Sequence, residues 1–276
     1  MRLHIANHLP NKQGGGWTQA RYLAEKLGHV DYYDSDTYLI MSASTVDKRA
    51  VRQAKEDGKR IVLRVDNILR NSRNRNTGMS RMREFAELAD LVIYQSEWAR
   101  GLLSEYLGKE GVVIMNACDQ EVFNLRNREE SEVARYVYSR VNRDETKNWE
   151  MARYIYSVEH QRKDAKTLLN IVGAYSQELL EYNFDFYNGE DYRYWGTVDA
   201  HQMSDIYRMS DWLIFTFFND CCSNTLIEAL CCGCNVLDPY AMSETGGSRE
   251  IMKKFAKLGA EYFSLDRMIK EYCEVL

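Results

Sequence analysis

The chain has 276 residues, enough for one large domain or two of ordinary size. Its 45% hydrophobic and 28% charged content exclude a disordered chain, and a formal net charge of −5 excludes a uniformly basic nucleic-acid coat. The longest apolar stretches, Leu91 to Tyr94 and Trp212 to Phe218, are far too short to span a bilayer, and the N-terminus turns polar by Asn7. The expectation is a cytoplasmic protein with no signal peptide or transmembrane segment.

Leu3 to Ala6 reads as a short buried strand, followed by a turn-rich segment ending in Gly14, Gly15 and Gly16. Thr18 to Leu27 reads as a helix with Ala20, Leu23, Ala24 and Leu27 on one face. Strand, glycine loop, helix is how a nucleotide-binding α/β unit opens, and glycines there let backbone N–H groups approach a ligand. The alternation continues with strands Tyr38 to Met41, Arg60 to Val65, Leu91 to Tyr94 and Val112 to Ile114. Helices from Val46 to Asp57, up to Ala89, and from Glu97 to Leu107 separate them.

The charged segment Arg126 to Glu132 precedes a second such series. Its strands are expected at Arg135 to Tyr138, Thr167 to Val172, Phe184 to Tyr187, Trp212 to Phe215 and Asn235 to Leu237. Its helices are expected at Trp149 to His160, Gln177 to Leu180, His201 to Met209 and Asn224 to Cys232. Strands alternating with helices imply parallel sheets covered on both faces. The predicted fold is therefore α/β, with two doubly wound Rossmann-like domains facing across a cleft and a helical C-terminal tail. The boundaries are 1–128, 129–255 and 256–276.

Five of the seven cysteines, Cys221, Cys222, Cys231, Cys232 and Cys234, crowd one segment. Adjacent cysteines point in divergent directions and lack the spacing of zinc hooks, so small buried thiols in a reducing compartment are expected and no metal site. His4 and His8 are read as structural. From Asn67 to Arg83 the chain carries Arg70, Arg73, Arg75, Arg81 and Arg83 without an acidic residue.

The most informative segment runs from Asp220 to Val236. Ser223 or Asn224 suits a helix N-cap, which puts Asp220 in the preceding loop and Glu228 about one turn inside the helix. Free N–H groups there, with Thr225, can carry a diphosphate, while the carboxylates accept hydrogen bonds from sugar hydroxyls. An acidic cap with one exposed Glu is the alternative.

This segment resembles the E-x7-E signature of retaining glycosyltransferases of family 4, with Asp220 at the first carboxylate position. Glu228-Ala229, Cys232-Gly233 and Val236 keep the register. Asn170 to Gly173 resembles the strand ending beside the donor base, and Tyr194 to Val198 resembles the family's "G-x-V" turn, which nominates Gly173 and Gly196. Met203 to Tyr207 and Ser210 to Trp212 follow in the family's order. Arg64-Val65-Asp66 with Ala89 to Ser96 resembles one branch, and Asn116 to Asp119 with Phe123 resembles the interdomain "N-G-V-D…F", Ala117 replacing the glycine.

The resemblance covers most of the chain and implies the two-domain GT-B fold, a nucleotide-diphosphate sugar as co-substrate and no resident cofactor. It assigns Arg143 and Lys147 to the donor phosphates, with Arg140 able to take either place. Fixed cations there favour the charge that builds on the leaving group. It also implies front-face transfer, the donor phosphate taking the acceptor proton. Donor contacts are expected at Gly15, Gly16, Gly173, Gly196, Asn224, Thr225 and Glu228. Asp66, at a strand end, would polarise the acceptor hydroxyl, or serve as a plain turn residue.

Two acceptor classes compete: a glycan, lipid or small molecule, and a hydroxymethylated DNA base of the bacteriophage kind. For DNA, Arg70, Arg73, Arg75 and Arg81 would hold phosphates and the base would be flipped. A sugar-nucleotide-binding module without catalysis is a further alternative. Oligomeric state is not read from the sequence.

Overall fold

The computed structural model describes residues 1–11, 14–66, 76–128, 130–141, 147–162, 166–174, 192–217, 220–239 and 246–276, without the side chains of 76–78. Its chain falls into two compact units. Unit 1 is Met1–Ala117, Asn219–Asn224 and Thr245–Leu276, and unit 2 is Cys118–Phe218 and Thr225–Glu244. The expected helix at Gln177 to Leu180 and strand at Phe184 to Tyr187 lie outside the described residues.

Unit 1 holds strands β1 (Leu3–Ile5), β2 (Thr37–Ile40), β3 (Arg60–Val65), β4 (Leu91–Tyr94) and β5 (Val112–Val113). They form one sheet in sequential order, each neighbouring pair parallel. Its helices are α1 (Gly15–Leu27), α2 (Lys48–Glu56), α3 (Asn76–Leu88) and α4 (Glu97–Leu107). Apolar positions recur at helical spacing, so each helix buries one stripe. Alternation along the strands sends Ile40, Leu63, Val65, Val92 and Tyr94 into one core with Val51, Met82, Phe85 and Leu103 of α2 to α4. It sends Leu3, Ile5, Leu39, Val62 and Ile93 into another with Ala20 and Leu23 of α1.

The outer edge of β1 is closed without a strand. Val30 N–H donates to the Leu3 carbonyl at 3.0 Å, and Ile5 N–H donates to His29 Nδ1 at 3.1 Å. His4 Nδ1 lies 3.0 Å from the Val30 carbonyl, which gives His4 the expected structural place.

Two further helices, α8 (Gly247–Leu258) and α9 (Leu265–Val275), return to unit 1; α5 to α7 belong to unit 2 and are described below. The expected tail is thus part of the first unit's core. Met268 and Tyr272 of α9 are buried against the Leu23 and Leu39 side of the sheet. Arg267 donates from Nη1 to the Met115 carbonyl at 3.0 Å and from Nη2 to that of Asn116 at 3.1 Å. Such contacts, and not chain order, place the observed boundary at Ala117/Cys118 where the sequence suggested 128/129.

Unit 2 holds β6 (Ala134–Val141), α5 (Trp149–Arg162), β7 (Thr167–Gly173), β8 (Tyr192–Gly196), α6 (Ala200–Arg208), β9 (Trp212–Ile214), α7 (Asn224–Cys231, all but its first residue) and β10 (Asn235–Leu237). The sequence reading missed β8, treating it as a turn. All neighbours are parallel in the order β10-β9-β6-β7-β8. The chain therefore enters at the middle strand, builds outward to β8, then returns to the other side of β6. That reversal opens the sheet at the carboxyl ends of β6 and β9, where open α/β sheets bind ligands.

No helix among the described residues is long and apolar enough to cross a membrane.

Candidate functional site

The reversal point of unit 2 brings together Arg140, Lys147, Thr225 and Glu228. β6 ends in Arg140-Val141, and Lys147 stands just before α5. β9 runs into Phe215, Thr216 and Phe217, and α7 brings Thr225 and Glu228. Arg140 Nε donates to Thr225 Oγ1 at 2.9 Å, with its guanidinium carbon 5.6 Å from the Phe217 ring centre. Lys147 Nζ lies 4.4 Å from the same ring centre. Two cations thus share one aromatic ring, which offsets part of their mutual repulsion. The Lys147 backbone is fixed as well: its carbonyl accepts from Tyr138 OH at 2.6 Å and Thr216 Oγ1 at 2.7 Å.

Glu228 sits half-buried in α7. Loss of water pushes its carboxyl up to about 7, against the opposing pull of the Arg140 charge. It therefore titrates near neutrality. Gly173 ends β7 with φ +144°, and an added Cβ would lie 2.2 Å from the Val141 carbonyl oxygen, so this glycine is required by close backbone approach. Gly196 has φ +68° and open space around it. Arg143 lies outside the described residues, and Arg140 occupies the position beside Thr225. Sequence reasoning missed Phe217; the aromatic run after β9 was its signal.

The residues before α7 belong to unit 1. Asp220 is therefore grouped with the first unit and Glu228 with the second. Asn224 is held within unit 1 by its side chain. Its Oδ1 accepts from Asn116 Nδ2 at 2.8 Å and Gln19 Nε2 at 3.2 Å, while its Nδ2 donates to the Gly15 carbonyl at 3.2 Å. Asn116 Nδ2 also donates to the Cys222 carbonyl at 2.7 Å, and Asn116 Oδ1 accepts from buried Arg64. The Asn224 side chain, expected on the donor, is thus committed to fastening this segment.

Unit 1 carries its own pocket at the carboxyl ends of β1, β2 and β3. About 280 Å³ in volume, it is lined by Gly14 to Trp17, by Ser42, Ser44 and Thr45 after β2, and by Asp66 after β3. The structure therefore joins Gly15 and Gly16 to Asp66. Gly14 has φ +134° and precedes α1, whose first residues, Gly15 to Trp17, line the pocket. Arg81 borders a neighbouring pocket, whereas Arg70, Arg73 and Arg75 lie outside the described residues. Cys118, Cys221, Cys222, Cys231, Cys232 and Cys234 are all buried free thiols. Among the described residues no group of three or more His, Cys, Asp or Glu is placed to hold a metal ion.

No protein-family model and no curated protein sequence matches the chain. Solved structures do. HepE of Anabaena, solved in complex with UDP-glucose, superposes with a TM-score of 0.72 at 12% identity, covering 99% of this chain and 98% of its own. Sucrose-phosphate synthase of Thermosynechococcus elongatus gives 0.64 at 13% identity, covering 98% and 81%. AviGT4, a glycosyltransferase of avilamycin A biosynthesis, gives 0.62 at 12% identity, covering 99% and 96%. Two five-stranded parallel sheets flanked by helices, matched over nearly the whole length of such enzymes, give this chain the GT-B fold.

Proposed function

We propose that the chain is a retaining glycosyltransferase that moves a sugar from a uridine-diphosphate sugar to an acceptor hydroxyl. The observation that carries this reading is the pair Arg140 and Lys147 over the ring of Phe217, beside Thr225 and Glu228, at the reversal point of the second sheet. Two fixed cations suit a diphosphate, and a half-buried carboxyl suits sugar or ribose hydroxyls. The uridine donor is supported by HepE, solved with UDP and with UDP-glucose.

In the proposed reaction the bond between the sugar C1 and the diphosphate oxygen breaks, and C1 bonds to the acceptor oxygen. The acceptor proton passes to the departing diphosphate. Arg140 and Lys147 stabilise the charge that grows on that leaving group, an interaction stronger in the transition state than before it. The proposal needs no metal and no protein nucleophile. Asp66, in the glycine-loop pocket with Gly15 and Gly16, polarises the acceptor hydroxyl.

The test is calorimetric titration with UDP and UDP-glucose, followed by UDP release and product NMR with a panel of acceptors. The expected result is saturable binding, UDP release that depends on acceptor, and a product with the donor's anomeric configuration. Binding without release under any acceptor selects a binding module. Neither binding nor release, with other nucleotide sugars included, rejects the reading.

A further inference from the structure

We propose that a second pocket of unit 1, beside the glycine-loop pocket, holds a phosphate group carried by the acceptor. It measures about 490 Å³ and is lined by Ser44, Thr45, Asp47, Lys48, Arg49 and Arg81, among others. Ser44 and Thr45 line both pockets. A ligand with a hydroxyl beside Asp66 can therefore extend past Ser44 and Thr45 and place a second group here.

Charge decides what that group is. Three cations border the pocket against one carboxylate, Asp47, whose Oδ1 already accepts the Arg49 N–H at 2.6 Å. Lys48 pairs with Glu84, which also takes Arg52 at 2.5 Å. Arg49 and Arg81 have no carboxylate partner among the described residues. Arg81 Nη1 reaches only the Ser44 carbonyl, at 3.5 Å, and its Nε is buried without a partner among them. A buried donor left unpaired is costly, and an anion in the pocket removes that cost. The guanidinium fork matches phosphate oxygens, two donors at a time. The inference does not use the N-terminus of α2, which Asp47 already caps.

Lys48, Arg49 and Arg81 border one pocket, and that suits a single phosphate on a small acceptor. The acceptor class is thus a phosphorylated small molecule with a free hydroxyl. Calling it an acceptor rests on the proposed function; the phosphate site itself does not.

Two measurements keep these apart. The first follows ³¹P line broadening of inorganic phosphate and glycerol 3-phosphate with the full chain. Saturable binding is expected, weakened about tenfold or more in Arg81→Gln and, with its exposed side chain, in Arg49→Gln. No saturable binding, or equal binding by both variants, overturns the site. The second offers UDP-glucose with matched acceptors: glycerol against glycerol 3-phosphate, a hexose against its 6-phosphate, and duplex DNA carrying hydroxymethylcytosine. A KM about tenfold lower for the phosphorylated partner, lost in Arg81→Gln, supports the assignment. Equal use of both partners, or transfer to DNA alone, overturns it. Saturable phosphate binding with no nucleotide-sugar binding keeps the phosphate site and rejects the transferase reading.

Discussion

The two units solve the same problem, a ligand site at the carboxyl edge of a parallel sheet, with opposite chemistry. In unit 2 the strand order reverses between β6 and β9, and the gap carries charge: Arg140 and Lys147 over one aromatic ring, and Glu228 within reach of the Arg140 charge. In unit 1 the strands run in sequence, and the pocket at their ends is lined by glycines, hydroxyls and one carboxylate, Asp66. Fixed cations pre-arranged in a confined site stabilise a charged leaving group. Hydroxyl-lined space orients the reacting hydroxyl. The division of labour between donor and acceptor is therefore proposed from side-chain chemistry, unit by unit.

The largest effects should fall on unit 2. Arg140→Ala and Lys147→Ala are each expected to lower kcat about a hundred- to a thousandfold, the scale of removing one preorganised charge-stabilising donor. Acceptor KM should change little. Arg140→Lys keeps the charge but loses the Nε contact to Thr225, so it should recover only part of the loss. Steady-state kinetics with UDP release checks this, and near-normal turnover in Arg140→Ala would return the phosphate role to Arg143.

Structural substitutions come next, and they separate fold from function in each unit. Gly173→Ala in unit 2 forces a side chain onto φ +144° and against the Val141 carbonyl. Asn116→Ala in unit 1 removes the acceptor of buried Arg64 and the tie to Cys222 and Asn224. Each should cost about 3 kcal/mol of stability, measured by urea unfolding. Unfolding at the wild-type midpoint in either would show that the described contact is not made.

These cases mark what could be read from the sequence. Periodicity placed nearly every described strand and helix to within a few residues, since β3, β4 and α4 have long buried stripes and clear caps such as Ser96. It missed β8, whose Tyr, Arg and Trp residues alternate weakly and of which none is fully buried. The E-x7-E resemblance pointed to α7 and its surroundings, and it assigned the donor phosphates to Arg143 and Lys147 with Arg140 able to take either place. The contact of Arg140 with Thr225 is what the structure adds. The return of later segments to the first unit was not legible, because Asn116 reaching Cys222 and Asn224, and Met268 and Tyr272 of α9 sharing a core with Leu3 and Ile5, are contacts over more than a hundred residues. Nor was the Lys48, Arg49 and Arg81 pocket, which joins two helices distant in sequence.

A smaller effect should follow from Glu228. Its folded carboxyl titrates near 7 where an ordinary one titrates near 4.5, so the folded chain binds the proton more tightly. Stability from this group is fully present below about 4.5 and is lost as pH rises to about 7, by roughly 3 kcal/mol. Glu228→Gln should flatten that fall. Donor hydroxyls favour the ionised form, so UDP-glucose affinity should rise about tenfold between pH 6 and pH 8, with proton release at pH 6. Calorimetry in buffers of different ionisation enthalpy checks it; pH-independent affinity would remove Glu228 from the donor.

The smallest effect returns to unit 1 and separates its glycines by what each does. At Gly14 the backbone has φ +134°, and an added Cβ would meet Trp17 at 3.3 Å, so Gly14→Ala should destabilise the turn into α1. Gly16 lacks both constraints: its φ is outside the glycine region, and an added Cβ meets nothing within 4 Å. As a helical residue it should gain about 0.5–1 kcal/mol on replacement by alanine. The open space is nonetheless bordered by the pocket it lines. If the acceptor approaches the backbone there, Gly16→Ala should raise Tm while raising acceptor KM about two- to fivefold, a split between stability and function. Raised Tm with unchanged kinetics would mean that the glycine loop does not meet the ligand at Gly16, and would move the acceptor contacts to Ser42, Ser44, Thr45 and Asp66.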